Sequence, residues 1–226
     1  MFDRILQEAP EFLTVENLVF LAEAAGRTLG MTLIGCSVGM VLGLLIAVLR
    51  QSRARALLPL RAVVILYVET FRRIPFLVII FIVLFVIEPL VPGVSLLGIA
   101  TVAVCLLSTA FLSEIVRAGL EAVPRQQVEG ARTLNFNELQ TLVKVILPQA
   151  WRVILPPAAA FVVMFIKDTS LASQIGVIEL TFAGKMLVNR GFSPVLGFGA
   201  ILASYFLLSY PLSRLAAALE KRLASP

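Results

Sequence analysis

The chain has 226 residues, of which 59% are hydrophobic, with a mean hydropathy of +0.98 and a formal charge of +5. That composition excludes an ordinary soluble domain, because apolar runs of about 20 residues recur and each is long enough to cross about 30 Å of hydrocarbon as a helix. The sequence has no histidine and no G-x-x-x-x-G-K-[ST] stretch, which excludes H-E-x-x-H zinc proteolysis, a serine–histidine dyad and a phosphate-binding loop within this chain.

The first 26 residues carry Asp3, Glu8, Glu11, Glu16 and Glu23 against Arg4 alone, the wrong charge for a signal peptide. This segment, 1–26, is expected to be mature sequence forming an amphipathic helix on the outer surface. Residues 27–226 then form one membrane domain of five spans.

Span one is expected over Thr28–Leu49. Its Gly35, Gly39 and Gly43 lie four apart on one helix face, a stripe that lets another helix approach closely in lipid, within the subunit or between subunits. Cys36 and Cys105 both fall inside apolar runs, so they read as buried thiols with no disulfide framework, and no cluster suggests a metal.

Span two, Ala62–Ile87, places Glu69, Arg72 and Arg73 ahead of Pro75, which should break or kink the helix. Glu69 and Arg73 are four apart and should neutralise each other. Arg72 is left to meet a substrate carboxylate, a helix C-terminus or a lipid head group. Span three, Leu96–Val116, holds Ser108, Thr109, Ser113 and Glu114 in its inner half. Span four, Val153–Ile175, ends in Lys167, Asp168, Thr169, Ser170 and Ser173, and span five covers Pro194–Leu215.

Basic residues set the expected orientation. Arg50, Arg53 and Arg55 follow span one, Arg117, Arg125, Arg132, Lys144 and Arg152 separate spans three and four, and Arg214, Lys221 and Arg222 follow span five. The positive-inside rule makes those regions cytoplasmic, the N-terminus external and the C-terminus cytoplasmic. The charge therefore reports topology and gives no reason to expect nucleic acid as a partner.

The region 117–152 is polar for this chain. In "VEGARTLNFNELQTLVKVILPQAW" (128–151), Val128, Ala131 and Leu134, then Leu139, Leu142 and Ile146, recur at helical spacing with one slip. Two short helices are expected, with Asn135 at the turn and Asn137 with Gln140 as N-cap and capping box of the second.

Helix, turn, helix, then "LP" resembles the coupling loop of ABC importer permeases, E-A-A, three residues, G, nine residues, I-x-L-P. Here the corresponding positions are Glu129, Gly130 and Ala131, then Asn135, then Val145, Leu147 and Pro148. Gly130 keeps the first alanine's small size, and Asn135 is the next most tolerant residue after glycine for a left-handed turn. "SEIVRAGLEAVPRQQVEGA", "ILPQAWRVILPP" and "KDTSL" resemble segments of the polar amino acid importer permeases. "YVETFRRIPFLV" (67–78) resembles that family's FRGTP segment, with Arg73 and Ile74 in place of Gly and Thr.

The resemblance implies an all-α bacterial inner-membrane permease subunit without an ATPase site or cofactor of its own. Its implied partners are a dimer of ATPase subunits that binds ATP and Mg, a second permease copy or homologue, and an external solute-binding protein that delivers an amino acid. Glu129, Gly130, Ala131 and Asn135 would sit in a cleft of the ATPase subunit. Intramembrane polar groups mark the pathway by default: Arg72, Arg73, Ser108, Thr109, Glu114, Asp168, Thr169 and Ser170. Asp168 would receive the α-ammonium, or pair with Lys167. Arg73 favours an acidic or neutral polar substrate, whereas Leu107, where this family often has Asn, puts the substrate's identity in doubt. A secondary transporter is the alternative, although five unequal spans show no inverted repeat; a membrane enzyme would need chemistry that the composition lacks.

Overall fold

A computed structural model describes residues 2–52 and 54–224 of the chain, and among them every regular element is helical; Arg53, one of the basic residues used for orientation, lies outside the described residues. Helix α1 (Phe2–Phe12) precedes α2 (Val15–Gln51), whose 37 residues extend about 55 Å. The expected border at residue 26 is therefore not a break. The chain turns instead at Leu13 and Thr14, where buried Asn17 donates to the carbonyl oxygens of Glu11 (3.3 Å) and Phe12 (3.1 Å) and holds the end of α1.

The expected second span is divided. Helices α3 (Leu58–Phe71) and α4 (Phe76–Leu90) meet at an angle of 119°, and neither, at about 21–23 Å, crosses a bilayer alone. Pro75 is the cause, because it has no N–H to continue α3 and pushes Ile74 before it out of helical backbone. Four described helical segments are long and apolar enough to span, and the bent pair makes five.

Helix α5 (Leu96–Glu121) is the centre of the bundle, buried at half of its positions. It runs parallel to α2 at very close range. A Cβ on Gly35 would lie 2.2 Å from Val104 Cγ1, one on Gly39 2.9 Å from the Ser108 carbonyl carbon, and one on Gly43 2.8 Å from the Ser113 nitrogen. The glycine stripe thus packs inside the subunit, and Ser108 Oγ donates to the Gly35 carbonyl (2.6 Å) across the same seam.

After α6 (Arg125–Thr133) and α7 (Glu138–Thr141), a π-helical stretch, Leu142–Ile146, leads directly into α8 (Leu147–Asp168). Pro148 accounts for the π stretch, since it cannot donate to the carbonyl four residues back, and the Leu147 N–H reaches five back to Leu142. Span four is accordingly longer than its apolar run, one helical segment over Glu138–Ile175. Helix α8 runs antiparallel to α5, with Gly119 against Ile154 and Phe111 against Phe161.

A 3-10 segment, Thr169–Ile175, stops at Gly176 (φ 88°). Helix α9 (Leu180–Asn189) follows, and its Leu180, Ala183 and Leu187 pack with Leu21 and Ala24 of α2. It lies in what the sequence suggests is a plain connection. Helix α10 (Pro194–Ala224) then starts beside α1: Glu8 accepts from the Ser193 N–H (2.6 Å), and Phe12 meets Phe192 edge-on. The C-terminal ends of α2 and α5, the loop helices and the start of α8 therefore gather at one basic end, opposite α1 and the acidic Glu11, Glu16 and Glu23.

Candidate functional site

The segment between α5 and α8 has the turn chemistry expected from its residues. Asn135 adopts φ 59°, the one described non-glycine residue in left-handed backbone. Its N–H donates to Arg132 O (2.9 Å) and that of Phe136 to Ala131 O (3.1 Å), closing α6. Asn137 Oδ1 then accepts from the Gln140 N–H (2.8 Å) while Gln140 Oε1 accepts from the Asn137 N–H (3.0 Å), which opens α7.

Ala131 is buried and anchors the segment, but Glu129 and Gly130 are exposed, and a Cβ on Gly130 would meet nothing within 4 Å. Glu129 forms no ion pair among the described residues, so neither Arg125 nor Arg132 holds it. Leu134 and Leu139 are about 70% exposed on either side of the turn. Val145 and Leu147 are partly buried and Pro148 is exposed. The result is a short, internally braced projection with a carboxylate and two leucines facing outward.

Immediately above it, Glu114 on α5 collects arginines from three places. It accepts from Arg50 at the end of α2 (2.8 Å), from Arg117 one turn on, and faces Arg72 at the α3–α4 bend (3.8 Å). Arg117 also donates to Glu121 (2.6 Å). Two of the expected pathway residues, Arg72 and Glu114, are thus brought together. Arg73 instead pairs with Glu69 (2.6 Å) on an exposed face.

The Arg72 guanidinium lies over the Phe111 ring, 5.6 Å from its centroid, at the edge of a cavity of about 300 Å³ between the α3–α4 bend, α5 and α8. Phe76, Phe111, Phe161 and Phe165 give this cavity an aromatic wall, with neighbouring centroids 5.0–5.6 Å apart. Ile74, Leu107, Met164 and Leu171 complete its apolar lining, and Asp168 is its one charged group. Asp168 has no ion-pair partner within 4 Å among the described residues. Lys167, its neighbour, is exposed.

The other expected pathway groups do not line this cavity. Ser108 and Thr109 donate to the Cys105 carbonyl at 3.1 and 2.7 Å, and Ser108 also to Gly35; Thr169 donates to Ile166 O (2.7 Å). These hydroxyls are spent on helix carbonyls, a common fate of Ser and Thr in apolar helices. Ser170 lies against the Tyr205 hydroxyl of α10.

Tyr205 leads to a polar group that sequence reasoning missed. Glu179, fully buried at the start of α9, accepts from the Phe182 N–H (2.8 Å) and the Tyr205 hydroxyl (3.0 Å), which also sits 3.1 Å from Thr181 Oγ1. Burial pushes the Glu179 carboxyl above its ordinary range despite these donors. Glutamate is not a favoured N-cap, so nothing local marked the position.

The class the fold points to is a membrane permease: a helical bundle with a half-open cavity, two of whose walls, α5 and α8, are joined by an exposed helical projection. The chain belongs to the family described as "Binding-protein-dependent transport system inner membrane component", matched over residues 39–225, and is a multi-pass inner-membrane subunit of the ABC importer type. It is 32% identical over 212 residues to the probable glutamine ABC transporter permease protein GlnP of Bacillus subtilis, covering 92% of this chain and 95% of that one. With the L-cystine transport system permease protein TcyB of the same organism it shares 36% identity over 197 residues, covering 87% and 83%. The structure matches the crystal structure of an amino acid ABC transporter with histidines at a TM-score of 0.83 and 26% identity, covering 92% of this chain and 96% of that one.

Proposed function

We propose that this chain is the translocation subunit of an amino acid importer, moving its substrate by alternating access under power from a separate ATPase. The observation that carries the reading is the continuity between cavity and projection. Phe111 stands on α5 and Phe161, Phe165 and Asp168 stand on α8, the two helices that run into the segment 117–152. A displacement of α6 and α7 therefore acts on both walls of the cavity as a rigid-body movement.

In this reading Glu129, Gly130, Ala131 and Asn135 enter a cleft of the ATPase subunit, and Val145, Leu147 and Pro148 join the projection to α8. The basic end is cytoplasmic and the N-terminus external, supported by the gathering of the arginines at one end of the bundle. ATP and Mg belong to the ATPase dimer, and this chain holds no cofactor. A second copy or homologue of this permease completes the pathway, and a solute-binding protein delivers the substrate at the acidic end.

Amino acids are supported as substrates by relatives named for glutamine, L-cystine and octopine transport. Asp168, the one charged group of the lining, receives the α-ammonium, and Arg72, at the cavity's edge and shared with Glu114, meets the α-carboxylate, two charges that fit a zwitterion. The test is uptake by vesicles holding the complete transporter. Asp168→Asn should lower uptake at least tenfold with the complex still assembled, and unchanged uptake kinetics would remove the residue from the pathway.

A further inference from the structure

We infer that Glu179 is a positioning residue of the transport site: through Tyr205 and Ser170 it sets the place of the segment that follows Asp168, and so of Asp168 itself. The inference rests on the reading of Asp168 as the group that meets the substrate's ammonium.

Asp168 closes α8, and the 3-10 segment Thr169–Ile175 follows it without a break. Seven residues is long for this helix type, whose poorer hydrogen-bond geometry rarely sustains more than about three or four, so neighbouring elements must hold it. They do so from several sides. Ser170 lies against the Tyr205 hydroxyl of α10. Ser173 Oγ accepts from Lys185 Nζ of α9 (3.3 Å). Beyond the turn at Gly176, the Ile178 carbonyl accepts from Arg27 (3.1 Å) and the Leu180 N–H donates to Thr28 Oγ1 (3.2 Å), both on α2. Among these contacts, that of Ser170 is the nearest in sequence to Asp168.

Glu179 governs that contact. Its two carboxylate oxygens divide their work, Oε1 accepting from the Phe182 N–H (2.8 Å) and Oε2 from the Tyr205 hydroxyl (3.0 Å). A serine or aspartate is the favoured N-cap and would serve the first bond; the longer glutamate adds the second, to α10. Because the phenolic proton goes to Glu179, the Tyr205 oxygen turns its lone pairs to Thr181 Oγ1 (3.1 Å) and to Ser170, whose hydroxyl donates to it. An enclosed carboxylate is costly unless donors replace its water, and here the donors tie α9, α10 and the 3-10 segment into one unit. Asp168 has no ion pair among the described residues to fix it, so its place comes from this unit. A shift of about 1 Å in such a group costs on the order of a hundredfold in rate.

The experiment is initial uptake of a radiolabelled mixture of the protein amino acids by vesicles holding the complete transporter, with the solute-binding protein titrated. Tyr205→Phe should lower the maximal rate at least fivefold and leave the half-saturating concentration of the solute-binding protein within about twofold. Ser170→Ala, which keeps the Glu179–Tyr205 bond, should do the same, and it decides alone should Tyr205→Phe fail to assemble. In an Asp168→Asn background neither change should lower the rate more than about twofold further, since the group they position is already gone. Losses that multiply in the double variants, or a full maximal rate in the single ones, overturn the positioning role and leave the amino acid site standing. Uptake indifferent to Asp168→Asn, or no uptake by the unaltered complex, overturns the reading of the site and this inference with it.

Discussion

Arg50 at the end of α2 donates to Glu114 on α5 across 2.8 Å, and this pair closes the seam in which Gly35, Gly39 and Gly43 lie against Val104, Ser108 and Ser113. Both side chains are more than four-fifths buried, and the same carboxylate faces Arg72 beside the cavity. One acid therefore ties the end of α2, the bend between α3 and α4, and α5.

Replacing it with a neutral amide takes the carboxylate from Arg50, leaves Arg117 with Glu121 alone and leaves Arg72 with the Phe111 ring. Glu114→Gln should cost about 2 kcal/mol, below the about 3–5 kcal/mol of a fully buried broken pair because water reaches this one. The thermal midpoint of the purified protein should fall by about 4–8 °C. An unchanged midpoint would show that the arginines find other partners.

The glycine seam makes a contrasting pair of predictions. Gly43→Ala sets a methyl group against the Ser113 backbone at 2.8 Å, where neither helix can yield without moving, and should destabilise by about 1–3 kcal/mol. Gly30→Ala, on the same helix with nothing within 4 Å, should be neutral or stabilising by up to about 1 kcal/mol through helix propensity. Recovery of monodisperse protein after graded heating distinguishes the two, and equal behaviour would contradict the close approach.

The turn between α6 and α7 depends on a residue that accepts φ 59°. Asn135→Gly should preserve ATP-driven uptake in reconstituted vesicles. Asn135→Val, a β-branched residue forced into left-handed backbone at a cost of about 1–2 kcal/mol or more, should reduce it severalfold. Full uptake by the valine variant would mean that the turn geometry does not matter.

Much of this was legible because the relevant chemistry is local. The Asn135 turn, the Asn137–Gln140 box, the Glu69–Arg73 pair and the break at Pro75 each follow from residues within four positions of one another. The Glu114 cluster was not legible in the same way, because Arg50 arrives from 64 residues away and only packing brings it there. Helix α9 was missed because a ten-residue, half-apolar helix between two spans has the composition of a connection. The hydroxyls of Ser108, Thr109 and Thr169 are expected pathway groups by type; the structure turns them onto backbone carbonyls three or four residues back, Ser108 also onto Gly35 of α2, which residue type cannot reveal.

Glu179 predicts a pH dependence. Its carboxyl is raised in the folded protein by burial, so its stabilising contribution is fully present below the ordinary glutamate pKa and is lost as pH rises through the raised value. The thermal midpoint should decline with rising pH across that window. Glu179→Gln, which keeps an acceptor for the Phe182 N–H and cannot ionise, should flatten the decline; an equal slope in both proteins would assign the dependence elsewhere.

The coupling of ATP hydrolysis to transport through the exposed projection is tested most directly by the ratio of amino acid imported to ATP hydrolysed, measured in vesicles containing the complete transporter with and without Glu129→Lys. Reversing the charge of an exposed, unpaired side chain leaves the membrane bundle intact. Hydrolysis should therefore continue within about twofold while uptake falls at least tenfold, a loss of about 1.4 kcal/mol or more in coupling. An unchanged ratio in that variant, or uptake by this chain without any ATPase subunit, would contradict the account.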